Sequence, residues 1–225
     1  MPVEAVIFDL DGTLTVFNID YKALRGEVRE YLLRTGVPAS VLNVNESMFD
    51  MMHKAEIYFK NSKSEQAFKE VQSQCLVIAE KYEMEAATLT SLQPGAIEIL
   101  KELKKLKLKI GLCTTNSETA TNYILQRFKV LDYFQAVVSR NKVKRVKPDT
   151  EQYELALKIL GVKPVNSIIV GDSVVDMQSA KELKAIAIGL PTGISTQKQL
   201  TTHGANYIIT ALSDLPVLIK KMEKN

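Results

Sequence analysis

The sequence contains little cysteine, glycine or proline. Its 225 residues include two cysteines, Cys75 and Cys113, with ten glycines and seven prolines. Two cysteines are too few for a disulfide scaffold and suit a reducing compartment. The glycine and proline content excludes a collagen-like or Pro/Gly-rich disordered chain. With 46% hydrophobic and 24% charged residues, the composition is that of a globular protein with enough apolar material for a full core.

Long apolar runs are also missing. The longest, such as residues 167–170 and 185–190, are strand-sized and far below the roughly 20 residues that cross a bilayer. The N-terminal residues 3–8 have the pattern of a buried strand rather than of a secretory signal. We therefore expect a cytoplasmic protein without a membrane partner.

The charge imbalance is small. The 29 basic and 26 acidic residues give a net charge of +3, which does not by itself indicate a nucleic-acid partner. One basic cluster consists of Arg140, Lys142, Lys144, Arg145 and Lys147. We interpret it as a solvated loop that contains one functional lysine, and a polyanion-binding patch is the alternative.

Two kinds of pattern divide the chain. Residues 20–87 are rich in helix formers and have apolar residues at helical spacing, which predicts three or four helices, one of them starting at Ser64. From Leu92 onwards strands and helices alternate, which predicts a parallel, doubly wound α/β sheet. Predicted strands lie at 3–8, 109–113, 136–138, 167–170, 185–188 and 207–209, and two of the predicted helices at 148–160 and 177–183. We predict a Rossmann-like core from residues 1–15 and 92–225, with an inserted α-helical domain at 16–91.

Polar side chains follow four of the predicted strands, at the edge where ligands bind in such sheets. They are Asp9 and Asp11, then Thr114, Thr115 and Asn116, then Lys147, and finally Asp172, Ser173 and Asp176. Clustered carboxylates repel one another unless a hard cation lies between them, and Mg²⁺ binds carboxylate oxygens together with substrate phosphate. Lysine and threonine side chains can bind the remaining phosphate oxygens. The pattern predicts a magnesium and phosphate site.

Four segments in this order resemble the motifs of a known family. They are Phe8–Thr15 (FDLDGTLT), Thr115–Asn116, Lys147–Asp149 and Gly171–Asp176. Together they are similar to the four motifs of the haloacid dehalogenase-like hydrolase superfamily. The helical insertion after the first motif resembles the α-helical cap of its phosphoglycolate phosphatase-like members.

The resemblance implies an Mg²⁺-dependent phosphomonoester hydrolase that works through an aspartyl-phosphate intermediate. Asp9 would be the nucleophile, and Asp11 the general acid and then the general base. Thr115, Asn116 and Lys147 would bind the phosphoryl group, and we also expect Asn116 to cap the helix that follows it.

The resemblance also implies the metal ligands. Asp9, the backbone carbonyl of Asp11 and the carboxylate of Asp172 would hold Mg²⁺. Asp176 would bind through water or support the other ligands, and helix capping is the alternative for this residue.

The substrate is less specified. The histidine expected of sugar-phosphate mutases in this family is missing, and Tyr21 and Lys22 stand near its place. Phosphoglycolate is the favoured small-molecule substrate, and we expect no nucleic-acid partner and a monomer or homodimer. A β-phosphoglucomutase-like phosphotransferase, a nucleotide or sugar phosphatase, and a non-catalytic binding protein are the alternatives. Lys22, Arg25 and Arg29 share one helix face, and Arg25 is predicted to bind the leaving group of the substrate, although a solvated face also fits.

Overall fold

A computed structural model describes residues 3–62 and 65–222, and over these residues the chain forms six strands and nine helices. The strands are β1 (Ala5–Phe8), β2 (Lys109–Cys113), β3 (Ala136–Val138), β4 (Ser167–Gly171), β5 (Ile186–Gly189) and β6 (Tyr207–Ile208). The helices are α1 (Tyr21–Arg34), α2 (Met48–Ser62), α3 (Glu65–Leu89), α4 (Ala96–Lys105), α5 (Glu118–Arg127), α6 (Glu151–Leu160), α7 (Val174–Leu183), α8 (Gln197–Thr202) and α9 (Leu215–Met222).

The six strands form one parallel sheet in the order β3-β2-β1-β4-β5-β6. β1 lies in the middle of the sheet and pairs with β2 on one side and β4 on the other. Every residue of β1 and β4 is buried, as expected for parallel strands that are covered on both faces. The predicted doubly wound α/β core is confirmed.

Apolar side chains on both faces of the sheet explain why the core forms here. Ala5 and Ile7 of β1 belong to one buried cluster with Tyr153 of α6 and Met177 of α7. Because side chains alternate along a strand, the neighbours of Ala5 and Ile7 point to the opposite face, and they are also fully buried. Since both faces are filled by hydrophobic groups, polar side chains are left for the loops at the carboxyl edge.

The chain divides into two compact units. One comprises Met1–Asn18 and Leu89–Asn225 and contains the sheet, and the other comprises Ile19–Thr88. The boundaries predicted from the sequence, after residues 15 and 91, lie three residues from these. That the second unit acts as a cap stays a prediction.

The helical unit has an apolar core of its own. Leu24, Val28 and Leu32 form the buried stripe of α1, and Met48, Met51 and Met52 are buried in α2, as expected for core residues. The predicted helix start at Ser64 lies outside the described residues. Where the chain is described, no helix is both long and apolar enough to cross a bilayer.

Two helix starts differ from the prediction. The helix predicted from Pro148 begins at Glu151, because the carboxylate of Asp149 accepts a hydrogen bond from the Glu151 N–H at 3.0 Å and forms a turn before the helix. The helix predicted from Met177 begins earlier, at Val174, because Ser173 and Asp176 form a capping box.

Candidate active site

The loop after β1 brings two carboxylates to the carboxyl edge of the sheet. Asp9 continues the strand pairing, since its N–H donates to the carbonyl of Val170 at 2.9 Å. The chain then turns around the carbonyl of Leu10, which accepts hydrogen bonds from the N–H groups of residues 13, 14 and 15. Gly12 has a φ of +85°, a conformation that glycine adopts without steric cost. The sharp turn keeps Asp9 and Asp11 next to the sheet.

The loop after β2 holds Asp11 in place. The side-chain amide of Asn116 donates to Oδ2 of Asp11 at 2.5 Å, and the hydroxyl of Thr15 donates to Oδ1 at 3.3 Å. The expectation that Asn116 caps the next helix is wrong. Ser117 is the N-cap of α5, with its hydroxyl accepting from the Ala120 N–H, because the amide of Asn116 is turned towards Asp11.

Thr115 lies beside Asn116 in the same loop and is half-buried. Its backbone carbonyl accepts a hydrogen bond from Arg140 at 3.1 Å. Thr114 is buried, and its hydroxyl accepts from the Asn116 N–H at 3.2 Å, so this side chain shapes the turn. The structure therefore fixes the backbone of Thr115 at the edge of the sheet and leaves its side chain partly accessible.

Lys147 lies at the centre of the site. Its ammonium donates to Oδ1 of Asp9 at 2.5 Å, to Oδ1 of Asp176 at 2.7 Å and to the carbonyl of Cys113 at 3.1 Å. These three bonds use all three ammonium hydrogens. The exposed fraction falls from 11% for the side chain of Asp9 to 2% for Lys147 and 0% for Asp176. Asp9 is therefore the member of this row that a ligand from solvent can reach.

Asp172 is held by a backbone N–H from one loop and a side-chain hydroxyl from another. Its Oδ2 accepts from the Ile194 N–H at 2.7 Å, and its Oδ1 from the hydroxyl of Thr13 at 3.4 Å. A Cβ on Gly12 would lie 2.6 Å from the Asp172 carboxyl carbon, and a Cβ on Gly193 would also collide with this carboxylate. The carboxylate fits only because both neighbours lack a side chain.

Asp176 is enclosed by donors. Its Oδ1 accepts from Lys147 and, at 2.8 Å, from the hydroxyl of Tyr153. Its Oδ2 accepts from the hydroxyl of Ser173 at 2.7 Å and from the Ser173 N–H at 3.3 Å. Four hydrogen bonds fill the acceptor capacity of this carboxylate. Asp176 therefore caps α7 and fixes Lys147 at the same time.

Burial and crowding dominate the electrostatics of the site. Burial raises the pKa of Asp9 well above its usual range, against the opposing charge of Lys147, and the charges of Asp176 and Asp172 raise it further. Burial and then the charge of Asp176 raise the pKa of Asp172 to about 7. Burial lowers the pKa of Lys147, but the charges of Asp176 and Asp9 outweigh it, so the net pKa is raised and the ammonium stays charged.

The donor set fits a divalent cation. One carboxylate oxygen from each of Asp9, Asp172 and Asp176 lies within 4.8 Å of the others. When all three carboxylates are ionised, they and the single ammonium of Lys147 leave two negative charges in a buried place, which one Mg²⁺ would balance. Because the oxygens of Asp176 are filled by protein donors, Asp9 and Asp172 are the two carboxylates best able to ligate directly. Oxygen ligands of this kind are those that Mg²⁺ prefers.

The remaining predicted site residue belongs to the other compact unit. Arg25 is in the helical unit, where its guanidinium donates to the carbonyls of Tyr21 at 3.0 Å and Asn45 at 3.3 Å. The solvated-loop interpretation of the basic cluster is wrong for Arg140, which is buried and bonded to the carbonyl of Thr115.

Acidic residues neutralise much of the basic cluster. Lys142 pairs with Glu118 at 3.2 Å, and Arg145 with Asp149 at 3.1 Å. The carboxylate of Glu151 accepts from the N–H groups of residues 144 and 145. These pairings weaken the case for a polyanion-binding patch.

Two functional candidates were missed by the sequence analysis. Gln152 and Tyr153 occupy the first turn of α6 and are fully buried. The side chain of Gln152 accepts from the Lys147 N–H at 3.1 Å and donates to the carbonyl of Thr114 at 2.8 Å. The sequence signal that could have identified them is their position five and six residues after Lys147. Both carry a polar group at a helix position that faces the core.

Comparisons with known proteins agree with this geometry. Residues 3–184 match the model of a hydrolase family described as haloacid dehalogenase-like hydrolase. A phosphoglycolate phosphatase from Neisseria meningitidis is 25% identical over 224 residues, which cover 98% of this chain and 94% of that protein. Pyrophosphatase PpaX from Bacillus velezensis is 33% identical over 118 residues, or 52% of this chain and 55% of that protein.

A comparison with solved structures supports the fold. A crystal structure of a hydrolase from Pseudomonas syringae superposes with a TM-score of 0.68 at 22% identity, covering 97% of this chain and 98% of that one. The resemblance seen in the four motifs and the expectation of an enzyme are both confirmed. The chain belongs to the haloacid dehalogenase-like hydrolase family.

Proposed function

We propose that the protein is an Mg²⁺-dependent phosphomonoester hydrolase that forms an aspartyl-phosphate on Asp9. The observation that carries the proposal is the row Asp9–Lys147–Asp176, in which the carboxylate of Asp9 is the more exposed of the two, together with Asp11 two residues further on. A binding protein on the same fold would need neither an aimed carboxylate nor a second one held next to it.

Asp9 would attack phosphorus with a carboxylate oxygen. Its Oδ1 is bonded to Lys147, and no hydrogen bond from the described residues reaches its Oδ2, so Oδ2 is the oxygen we assign to the attack. The strand end fixes the backbone of Asp9, which favours in-line approach. The ammonium of Lys147 offsets the negative charge that Asp9 and the phosphoryl group bring together.

Asp11 would move the protons. It would give one to the leaving oxygen as the aspartyl-phosphate forms, and then take one from the water that hydrolyses this intermediate. The amide of Asn116 holds Oδ2 of Asp11, which orients the carboxylate for both steps. The hydroxyl and backbone N–H of Thr115 would bind the transferring phosphoryl oxygens.

Asp9, the carbonyl of Asp11 and Asp172 would hold Mg²⁺. The ion, when bound, neutralises the carboxylates and the phosphoryl oxygens, and so lowers the repulsion between nucleophile and substrate. Asp176 would not ligate the ion directly but would hold Lys147 in place.

Phosphoglycolate is the substrate we favour, because a phosphoglycolate phosphatase is similar over nearly the whole chain. Pyrophosphate is the second candidate, because the relative with the higher identity over a shorter stretch is a pyrophosphatase. That the protein is cytoplasmic and a monomer or homodimer stays a prediction.

The test is a panel of phosphomonoesters and pyrophosphate with purified protein, ranked by kcat/KM in Mg²⁺ and in EDTA. We expect turnover that EDTA removes and Mg²⁺ restores. Asp9→Asn should lose more than about a hundredfold in kcat, since loss of covalent catalysis costs several kcal/mol. Asp132→Asn, on an exposed turn, is the matched control and should behave as wild type. A panel without turnover, or an Asp9→Asn variant with more than a hundredth of wild-type kcat, would overturn the proposal.

A further inference from the structure

The hydroxyl of Tyr153 is one of the few polar groups in the apolar cluster that α6 forms with the sheet. The residue is fully buried, and it belongs to the same buried cluster as Ile7 and Cys113. Its hydroxyl donates to Oδ1 of Asp176 at 2.8 Å. A phenylalanine would fill the same apolar space, so packing alone does not explain the hydroxyl.

The atom that receives this hydrogen bond is also the atom that holds Lys147. Oδ1 of Asp176 lies 2.7 Å from the Lys147 ammonium, which in turn lies 2.5 Å from Oδ1 of Asp9. A continuous row therefore runs from the tyrosine hydroxyl to the nucleophile proposed above. The second oxygen of Asp176 is fixed separately by Ser173.

We propose that Tyr153 is a positioning residue, which holds Asp176 so that Asp176 keeps Lys147 on Asp9. Ser173 is its counterpart on the other oxygen of the same carboxylate. Without the tyrosine hydroxyl, a buried Oδ1 would lose one of its two donors, and the remaining one, Lys147, would be drawn towards it. The ammonium would then neutralise Asp9 less well during attack.

This proposal rests on the proposed function and is tested with Tyr153→Phe. The variant keeps the ring and removes only the hydroxyl. We expect kcat to fall about tenfold because Lys147 acts on the nucleophile, and such a loss is typical of residues that hold catalytic groups in position. KM should change less than twofold because the loop around Thr115 is untouched. Tyr207→Phe, at an exposed tyrosine of β6, is the matched control and should retain wild-type kcat.

A double-mutant cycle tests whether Tyr153 acts through Asp176. In an Asp176→Asn background, Tyr153→Phe should not lower the single-turnover rate any further. The reason is that the effects of substitutions at contacting residues of one network do not add. If circular dichroism shows that Tyr153→Phe does not fold, Ser173→Ala is used in its place. This variant releases the other oxygen of the Asp176 carboxylate and should give a similar loss of kcat.

The possible outcomes separate the two proposals. An inactive wild-type protein would overturn the proposed function and this inference with it. An active wild type with unchanged kcat in Tyr153→Phe, a raised KM at constant kcat, or independent rate losses in the cycle would overturn only the role of Tyr153. If Ser173→Ala is used in place of Tyr153→Phe, an unchanged kcat in that variant would likewise overturn the role of Tyr153.

Discussion

The side-chain amide of Asn116 donates a 2.5 Å hydrogen bond to Oδ2 of Asp11, a residue 105 positions earlier in the chain. An amide donor cannot lose its proton, so it holds the carboxylate without competing for the proton that Asp11 is proposed to transfer. The contact joins the loop after β1 to the loop after β2, and it makes the orientation of the proposed acid depend on a residue outside its own loop.

Asn116→Ala should therefore lower kcat. Loss of a bond that orients a catalytic group costs about 10- to 100-fold, and steady-state kinetics of the best substrate in the panel measures it. Asn166→Ala is the matched control, because the amide of Asn166 also donates to a carboxylate, that of Glu4 at 2.7 Å, but on the protein surface. Equal activity of Asn116→Ala and wild type would contradict the orienting role.

Asp172→Asn should make the metal-free protein more stable at pH 8. Burial raises the pKa of Asp172 to about 7 from the 3.8 of a free aspartate, so the folded chain binds this proton more tightly than the unfolded chain does. Unfolding free energy then falls as the pH rises from about 4 to 7, by a few kcal/mol in total. Asparagine carries no proton to lose and avoids this penalty.

Thermal unfolding in EDTA between pH 5 and 8 measures the effect. The wild type should lose Tm towards pH 8, and the loss should be smaller in Asp172→Asn. Added Mg²⁺ should raise the Tm of the wild type at pH 8 and have little effect on the variant. If the variant had a lower Tm than wild type at pH 8 in EDTA, the ionised carboxylate of Asp172 would not destabilise the metal-free fold.

Gln152→Leu should destabilise the fold. The change keeps a similar volume but leaves the Lys147 N–H and the Thr114 carbonyl buried without the amide that binds them. We expect a loss of about 2–4 kcal/mol, since each unsatisfied buried group costs about 1–3 kcal/mol. Urea unfolding checks this, with Gln126→Leu on the exposed face of α5 as the control, for which a change within about 0.5 kcal/mol is expected.

Arg25→Ala should change the ranking of substrates if the helical unit binds the leaving group. For a carboxylate-bearing substrate such as phosphoglycolate, losing one charge-assisted hydrogen bond should cost about 1.5–3 kcal/mol, or roughly 10- to 150-fold in kcat/KM. A neutral aryl phosphate should lose much less, and Lys147→Ala should lower all substrates alike. One common factor for every substrate would favour the solvated-face interpretation of Arg25.

The fold could be predicted largely from the sequence, because its strands are short apolar runs closed by polar loops. Residues 109–113 and 136–138 form strands with the predicted bounds. The helix starts at Glu151 and Val174 were missed because they depend on side chains that bond back to the chain, Asp149 in one case and Asp176 in the other. Capping by these side chains sets the helix start at a different residue from the one that proline and hydrophobic periodicity predict.

The members of the site were predictable, but their partners were not. Strand order in a parallel sheet places Asp9, Lys147 and Asp172 at one edge whatever the details of packing. The contact between Tyr153 and Asp176 depends on how α6 lies against α7, which no local pattern encodes. The burial of Arg140 likewise depends on the loop that contains Thr115, since charge patterning along the chain does not distinguish a buried arginine from a solvated one.

The central place of β1 has a consequence for how the chain must assemble. Of the six strands that the structure describes, β1 is synthesised before the others, but its two neighbours begin only at Lys109 and Ser167. Contacts between such distant segments slow folding, because long loops have to close before the strands can pair. A growing chain that ends before Ser167 therefore has β1 open along one edge, exposed to pairing with other chains. A ribosome-bound series of lengths should show protease resistance at Phe8 only after β4 has emerged.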